Sequence, residues 1–386
     1  MQKTIENRLE GIITTLNHQK PDVIPATTVF FDINSQNKFV PVFDAKDWKK
    51  NEIEYIEFMD NSIVEGGHGE LKSRIVERGN NYHLIEFESK AIWKITEFPF
   101  NRDYIYYPIQ GEADIDKMIL PDANDPQRYN GAEEDDGRLY REDGRYLDEN
   151  ELARYASVEE RVSFYKENSL FVIGTINGFF SGVWYFCRDF ENFLIDLAIR
   201  KDFAQEMIRR VGEYNIKSAE ELLKRGVHAI RFNDDLGSTE SLLISPDFYK
   251  EYFYPWHKRL ADLCHGYHAY SYMHSHGNIN EILPLIIDAG IDIINPVGPT
   301  DNMDLENLKE KYGTKITFCG GISKFIGEMS KEEIEAHIKD VIKIGSAGGG
   351  FIVSQEGGIP YSMSVENFEF FMRVLKEYRK RYGRKI

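Results

Sequence analysis

Cysteine is nearly absent: Cys187, Cys264 and Cys319 are the only three in 386 residues. So sparse and odd a set builds no disulfide framework and fits a reducing compartment. Basic residues are also short, 47 against 64 acidic ones, for a formal net charge of -17. Such a surface repels phosphate backbones and anionic lipid, which excludes nucleic-acid and membrane-surface binding as main roles. No run approaches the roughly 20 apolar residues of a membrane span. Met1 to Arg8 carries no apolar signal core, so a cytoplasmic protein is expected. What the chain does have is core material, 42% hydrophobic and 13% aromatic residues. Its length allows one to three domains.

The second half alternates strand-like and helix-like segments. Buried strands are expected at 170–176, 227–232, 269–273, 291–295, 315–318 and 351–353. Helices are expected at 190–224, 281–289, 305–312, 331–344 and 365–382, from apolar positions at helical spacing. Ser245-Pro246 opens a further helix, with Ser as cap and Pro in the first turn. This alternation implies parallel pairing through right-handed crossovers. Upstream strands at 23–31 and 53–58 bring the set to eight. The expected fold is therefore α/β, a (β/α)8 TIM barrel forming a single domain over 1–386. Residues 62–150 break the rhythm as an insertion in the N-terminal half. It holds a hairpin at 74–98 around Gly79-Asn80-Asn81, a short helical piece at 113–120 and a charged stretch at 122–151 containing Glu133-Glu134-Asp135-Asp136. It reads as a solvated surface insertion, or alternatively as a lid over the barrel mouth.

Chemistry in such barrels sits at the carboxyl ends of the strands. His274-Ser275-His276-Gly277-Asn278 lies at one of these ends. The two imidazoles face one side if the strand persists, and neutral imidazole nitrogens suit zinc. The bland alternative is a pair of hydrogen-bonded polar residues beside a loop. Asn233-Asp234-Asp235 ends the preceding strand. Asp234 or Asp235 can ligate a metal, orient a histidine or act as acid or base, or simply cap a turn. Glu356, the one charge in the glycine-rich end of the last strand, is a candidate third ligand or else an exposed loop carboxylate. Asn177, Asn233, Phe179, Trp184 and Cys319 are candidate substrate contacts. Against that stand core packing for the aromatics and a small buried apolar role for Cys319.

Asp234-Asp235-Leu236-Gly237, Leu243-Ile244-Ser245-Pro246, His274-Ser275-His276-Gly277-Asn278, Ala289-Gly290-Ile291-Asp292, Gly320-Gly321-Ile322 and Gly349-Gly350-Phe351-Ile352 recur in a characteristic order. In these segments, over about residues 165–380, the chain resembles the uroporphyrinogen decarboxylase superfamily. The resemblance implies a (β/α)8 barrel and one of two activities: cofactor-free decarboxylation of uroporphyrinogen, or zinc-assisted methyl transfer involving a corrinoid protein or a thiol. The decarboxylase branch carries an arginine-rich N-terminal segment. Here that region reads Pro25-Ala26-Thr27-Thr28-Val29-Phe30-Phe31-Asp32 and has no arginine. A highly anionic substrate would enter an acidic protein poorly without those arginines.

By position, the methyltransferase branch's zinc-binding histidine falls at His274. Its first cysteine is replaced by His276, and its second falls at Gly357, beside Glu356. The expectation is a corrinoid-dependent methyltransferase taking a methyl group from a small donor, such as a methoxylated aromatic, in an anaerobic system. It would use Zn2+ on His274, His276 and Glu356 (or Asp235), with Asp234 or Asp235 as acid or orienter and a separate corrinoid protein as partner. A cofactor-independent decarboxylase and a non-catalytic ligand-binding barrel remain the alternatives. Barrels of this kind commonly pair, so a homodimer is one reading.

Overall fold

The computed structural model describes residues 8–31, 33–41, 48–96, 98–131 and 156–384. Most of the charged stretch expected at 122–151, Glu133 to Asp136 included, lies outside these residues. The strands run in chain order as β1 (Ala26–Thr27), β2 (Ile63–His68), β3 (Ser73–Arg78), β4 (Tyr82–Phe87), β5 (Ile92–Thr96), β6 (Asn101–Tyr106), β7 (Phe171–Asn177), β8 (Ala229–Asn233), β9 (Tyr270–His274), β10 (Ile293–Val297), β11 (Thr317–Ile322) and β12 (Phe351–Gln355). Eight of them form one parallel sheet in the order β1-β12-β11-β10-β9-β8-β7-β2. At the seam between β1 and β2, the Ser62 amide donates to the Ala26 carbonyl at 2.8 Å, and the Thr28 amide donates to Asn61 Oδ1 at 2.6 Å. With helices alternating along the chain, this is a nearly closed (β/α)8 TIM barrel.

The strands read as apolar runs because both faces are covered: every residue of β7 and β12 is buried. Inside the barrel, Ile63, Phe171, Ile173, Ala229, Tyr272, Ile293, Cys319 and Ile352 pack together. The helix Arg8–Leu16 adds Ile12 and Leu16 to that cluster. Its Leu9 amide donates to the Ser169 carbonyl, just before β7. The helix therefore plugs the amino-terminal end of the barrel and leaves the carboxyl end as the open one. Among the described residues no helix is long and apolar enough to cross a membrane.

Three expectations change. The segment 53–58 is not a strand; it lies in the helix Trp48–Met59, which buries Asn51, Ile56 and Met59. The second barrel strand is β2, Ile63–His68, so the inserted sheet begins only at Ser73. Two glycines in β2 hid it. They are small because the helix Val158–Glu167 packs there: a Cβ on Gly66 would run into Val172 and Val162, and one on Gly67 into Val158. The helical stretch expected at 190–224 is divided into two helices, Phe190–Ile199 and Lys201–Lys224. They meet at Arg200, which pairs with the buried Asp196 at 2.8 Å. The hairpin around Gly79 is present, but as the first half of a four-stranded antiparallel sheet, β3-β4-β5-β6. That sheet packs through Phe87 and Trp93 on Phe186, and Phe98 reaches Tyr361 in the loop after β12.

One buried charge cluster closes the seam. Asp60 accepts from Arg8 at 3.2 Å and from Arg379 at 2.5 Å. The two guanidiniums also bond the Asn61 and Ile24 carbonyls. Removing one partner of a buried pair strands the others in a low dielectric. Asp60→Ala is expected to lower unfolding stability by about 3–5 kcal/mol, read from denaturant midpoints at unchanged m-value. A loss within experimental error would show that the two arginines do not depend on it.

Candidate active site

Parallel register places Asn177, Asn233, His274 and Asn295 side by side at the carboxyl ends of β7, β8, β9 and β10. One pleat deeper lie Thr175, Arg231, Tyr272 and Ile293. The upper layer is polar and the lower one mixed. This is the barrel mouth, and both histidines of the sequence motif are there, ring centroids 4.8 Å apart and nearly perpendicular.

The two imidazoles are driven in opposite directions. His274 Nδ1 lies 2.7 Å from Asn295 Oδ1. Asn295 Nδ2 donates to the Cys319 carbonyl at 3.1 Å, which fixes the amide oxygen toward the histidine. Nδ1 must therefore carry the proton, leaving the Nε2 lone pair available. Burial, then the positive charges of Arg231 and His276, hold His274 well below the usual histidine range, against a small opposing effect of Asn295. His274 is thus neutral. Burial also acts against a charge on His276, but the carboxylate of Asp301, 3.8 Å from Nδ1, and the charges of Asp235 and Glu356 outweigh it and raise its pKa. Asp301 is correspondingly held down to about 2, first by His276 and then, against desolvation, by the Gly277 amide that donates to it at 2.9 Å. A neutral imidazole and one whose charged form is favoured therefore face the same opening.

The loop carrying them is clamped from two sides. The His276 amide donates to Asp235 Oδ1 at 2.8 Å, and the Leu236 amide donates to Ser275 Oγ at 3.1 Å. Gly277 adopts φ +89, and a Cβ there would collide with Gly237 of the loop after β8. Only glycine allows the two loops to touch.

The remaining candidates separate. Asp235 lies at the site and holds the His276 backbone. Asp234 is fully buried. Its carboxylate accepts the amides of Phe179, Phe180 and Ser181 at 3.0, 2.8 and 2.9 Å and pairs with His257 Nε2 at 2.9 Å. The structure gives it a positioning job, holding the loop after β7 against β8, in place of contact with substrate. Phe179 is fully buried against Phe232, Trp256 and His257 rather than lining an opening. Trp184 packs at a tilt against Tyr185 and edge-on to Tyr104 of the inserted sheet. Cys319 is buried inside the barrel, accepts from the Tyr272 hydroxyl at 3.3 Å, and is pushed up to about 11 by burial, so it is a thiol. Asn177 and Asn233 sit in the mouth layer.

Glu356 does not join the histidines as a ligand. It is buried, accepts from the Thr300 hydroxyl and, at 3.4 Å, from the Thr300 amide, and lies 3.9 Å from Lys324. These bonds tie the loop after β12 to the loop after β10. Among the described residues no three His, Cys, Asp or Glu side chains are arranged to hold a metal ion. The zinc set read from sequence is therefore not assembled, and two imidazoles alone fall short of the three protein ligands of a catalytic zinc. Asp301, Asn295 and Arg231 were missed as site residues. Asp301 was legible as a charge just after a barrel strand, and Arg231 as a lone charge inside an apolar strand.

Two imidazoles shifted in opposite directions therefore share the carboxyl-terminal mouth of a (β/α)8 barrel. The family profile for uroporphyrinogen decarboxylase (URO-D) matches residues 143–378, and the chain belongs to that family. No curated protein sequence matches the chain. Among solved structures, a methyltransferase from Methanosarcina mazei is similar at 15% identity and a TM-score of 0.63, covering 97% of this chain and 98% of that one. A sugar phosphate isomerase/epimerase from Parabacteroides distasonis aligns only loosely, at 12% identity and a TM-score of 0.35, over 64% of this chain and 85% of that one.

The histidine pair predicts its own titration. By imidazole NMR, His276 is expected to titrate above the ordinary value of 6.5 and His274 to stay neutral below it. Because the folded-state value of His276 is raised, its stabilisation is fully present below pH 6.5 and is lost as pH rises through the folded value. Asp301→Asn should bring the His276 midpoint down. An unmoved midpoint would mean that Asp301 does not control the charge.

Proposed function

We propose that this chain is a methyltransferase that moves a methyl group from a small donor, such as a methoxylated aromatic, to a corrinoid carried by a separate protein. The observation that carries the reading is the pairing of neutral His274 with acidic His276 at one barrel mouth. Methyl ethers leave poorly because the departing oxygen takes the electron pair of the broken C–O bond. A proton placed at that oxygen removes the difficulty. His276, with Asp301 3.8 Å from Nδ1, would supply that proton from Nε2. The methyl carbon goes to the nucleophile that the corrinoid supplies when bound, and the ether oxygen leaves as a neutral hydroxyl group. His274 Nε2, held as an acceptor through Asn295, can orient a hydroxyl of the donor. Zinc is not given a step, since the donor set does not converge.

Two further facts support this reading. The methyltransferase of similar fold aligns over nearly the whole of both chains. The mouth is rimmed by exposed apolar side chains, Phe31 (57% exposed), Phe98 (60%), Phe325 (49%) and Tyr361 (46%). On a protein of net charge -17, such a rim suits docking of a partner that must bring its cofactor to the opening.

An anaerobic assay with a methoxylated aromatic donor and a reduced corrinoid protein tests it. Methylated corrinoid should form, and His276→Gln should cut the rate by about 10²- to 10⁴-fold with little change in donor binding. Metal content is measured on the same samples. About one zinc per chain, lost in His274→Ala, would replace the proton-only scheme with a metal-assisted one. Carbon dioxide release without methyl transfer would favour the decarboxylase alternative.

A further inference from the structure

Arg231 is the one charged side chain on β8, at the centre of the apolar run Ala229-Ile230-Arg231-Phe232. Its register partners are Thr175 on β7 and Tyr272 on β9, both interior residues. The guanidinium therefore projects into the barrel. It passes over the Tyr272 ring, 5.8 Å from its centroid. It is also close enough to act electrostatically on His274, Tyr272 and Cys319.

This cation makes no hydrogen bond or ion pair with any described residue, and its Nε is buried without a partner. The nearby interior carboxylate, Glu65, is turned elsewhere: it accepts from the Thr175 hydroxyl at 2.5 Å and from the Gly67 amide at 3.3 Å. A guanidinium placed among Ile173, Ala229, Tyr272 and Ile293 loses hydration that nothing in the protein replaces. Arg231 is nevertheless only half-buried. The helix Arg8–Leu16 plugs the opposite end of the barrel, so its remaining exposure is toward the mouth.

The layer above adds polar groups with the same deficit. The Oδ1 atoms of Asn177 and Asn233 are buried without partners. Either amide can turn to present its NH2 group. A path from the histidines to Arg231 thus passes two uncommitted amides and ends on an uncommitted cation.

We propose that Arg231 is an anion subsite, and that the small molecule handled by His274 and His276 carries a carboxylate that reaches down to it. A guanidinium presents a planar fork of donors that matches a carboxylate. Arg231 lies two residues below Asn233, which itself pairs with His274. At about 3.3 Å of rise per residue the two levels are roughly 6.6 Å apart. That is the span of one six-membered ring bearing the reacting group at one end and the carboxylate at the other. The inference takes its ligand class from the methyl-donor reading and narrows it to methoxylated aromatic acids. The anion is recognised from inside the barrel, where the acidic outer surface is remote.

The test is binding, which needs neither turnover nor a corrinoid partner. Calorimetric titration compares 4-methoxybenzoate with its neutral counterpart, 4-methoxybenzyl alcohol. The whole protein should prefer the benzoate by about 10- to 100-fold, the range expected of a hydrogen bond to a charged group. Arg231→Gln should reduce that preference to about twofold or less, and Arg231→Lys should keep part of it. Thermal unfolding of ligand-free Arg231→Gln should be unchanged or raised, since an unpaired buried cation is removed. Equal affinity for both probes, no binding of the benzoate, or a preference that survives Arg231→Gln would overturn the assignment. So would a large fall in Tm with the preference intact, which would make Arg231 a structural residue. The two readings fail separately. If preference follows Arg231 but no methyl reaches a corrinoid protein, the subsite stands and the methyltransferase falls. If methyl transfer proceeds equally on acid and alcohol donors, the reverse holds.

Discussion

One buried carboxylate holds the barrel mouth together. Asp234 directly follows β8 and gathers three backbone amides from the loop after β7 together with the imidazole of His257, on the helix Tyr254–Gly266. Hydrogen bonds to a charged group are each worth about 1.5–3 kcal/mol, and an unsatisfied carboxylate here would be very costly. The amides, the imidazole and the carboxylate therefore fix one another. Tyr249 completes the chain with its hydroxyl 3.0 Å from His257 Nδ1. With Asp234 committed, the next residue, Asp235, projects toward the opening and binds the His276 amide.

From that anchor the chemistry follows by division of charge. His274 is enclosed, bonded through Nδ1 to a neutral amide and near a guanidinium, so it loses its proton. His276 is partly open and feels the charges of Asp301 and Asp235, and more weakly of Glu356, so its charged form is favoured. Two residues of one type, one position apart, are shifted in opposite directions because their neighbours differ. The same loop geometry withholds Glu356, which is bound to Thr300 and so sits outside the pair. A metal site and an acid–base pair can share the same two-histidine motif; the placement of the third group decides between them.

The fold was legible because long periodic segments speak for themselves. Leu305–Tyr312 and the Ser245 cap lie where spacing and capping chemistry put them. The N-terminal quarter was harder. Ile53, Tyr55 and Phe58 look strand-forming, yet Ile56 and Met59 mark a helical face, and β2 carries two glycines that suppress its strand signal for the sake of a neighbouring helix. Propensity lost to tertiary packing in both places. At the site, residue type was a good guide to location for His274, His276, Asp235, Asn177 and Asn233. It was a poor guide for Asp234, Phe179, Trp184 and Glu356, whose side chains turn into other contacts.

By itself, the sequence determined the alternation of strand and helix, the carboxyl-end placement of the histidine motif, the family and the acidic surface, since these depend on periodicity, order and composition. Only the tertiary structure decided which histidine favours its charged form, which aspartate binds the histidine loop, and that Arg231 lacks a partner among the described residues. Each of those depends on distances between residues far apart in the chain, and burial then magnifies every such distance into a difference of charge.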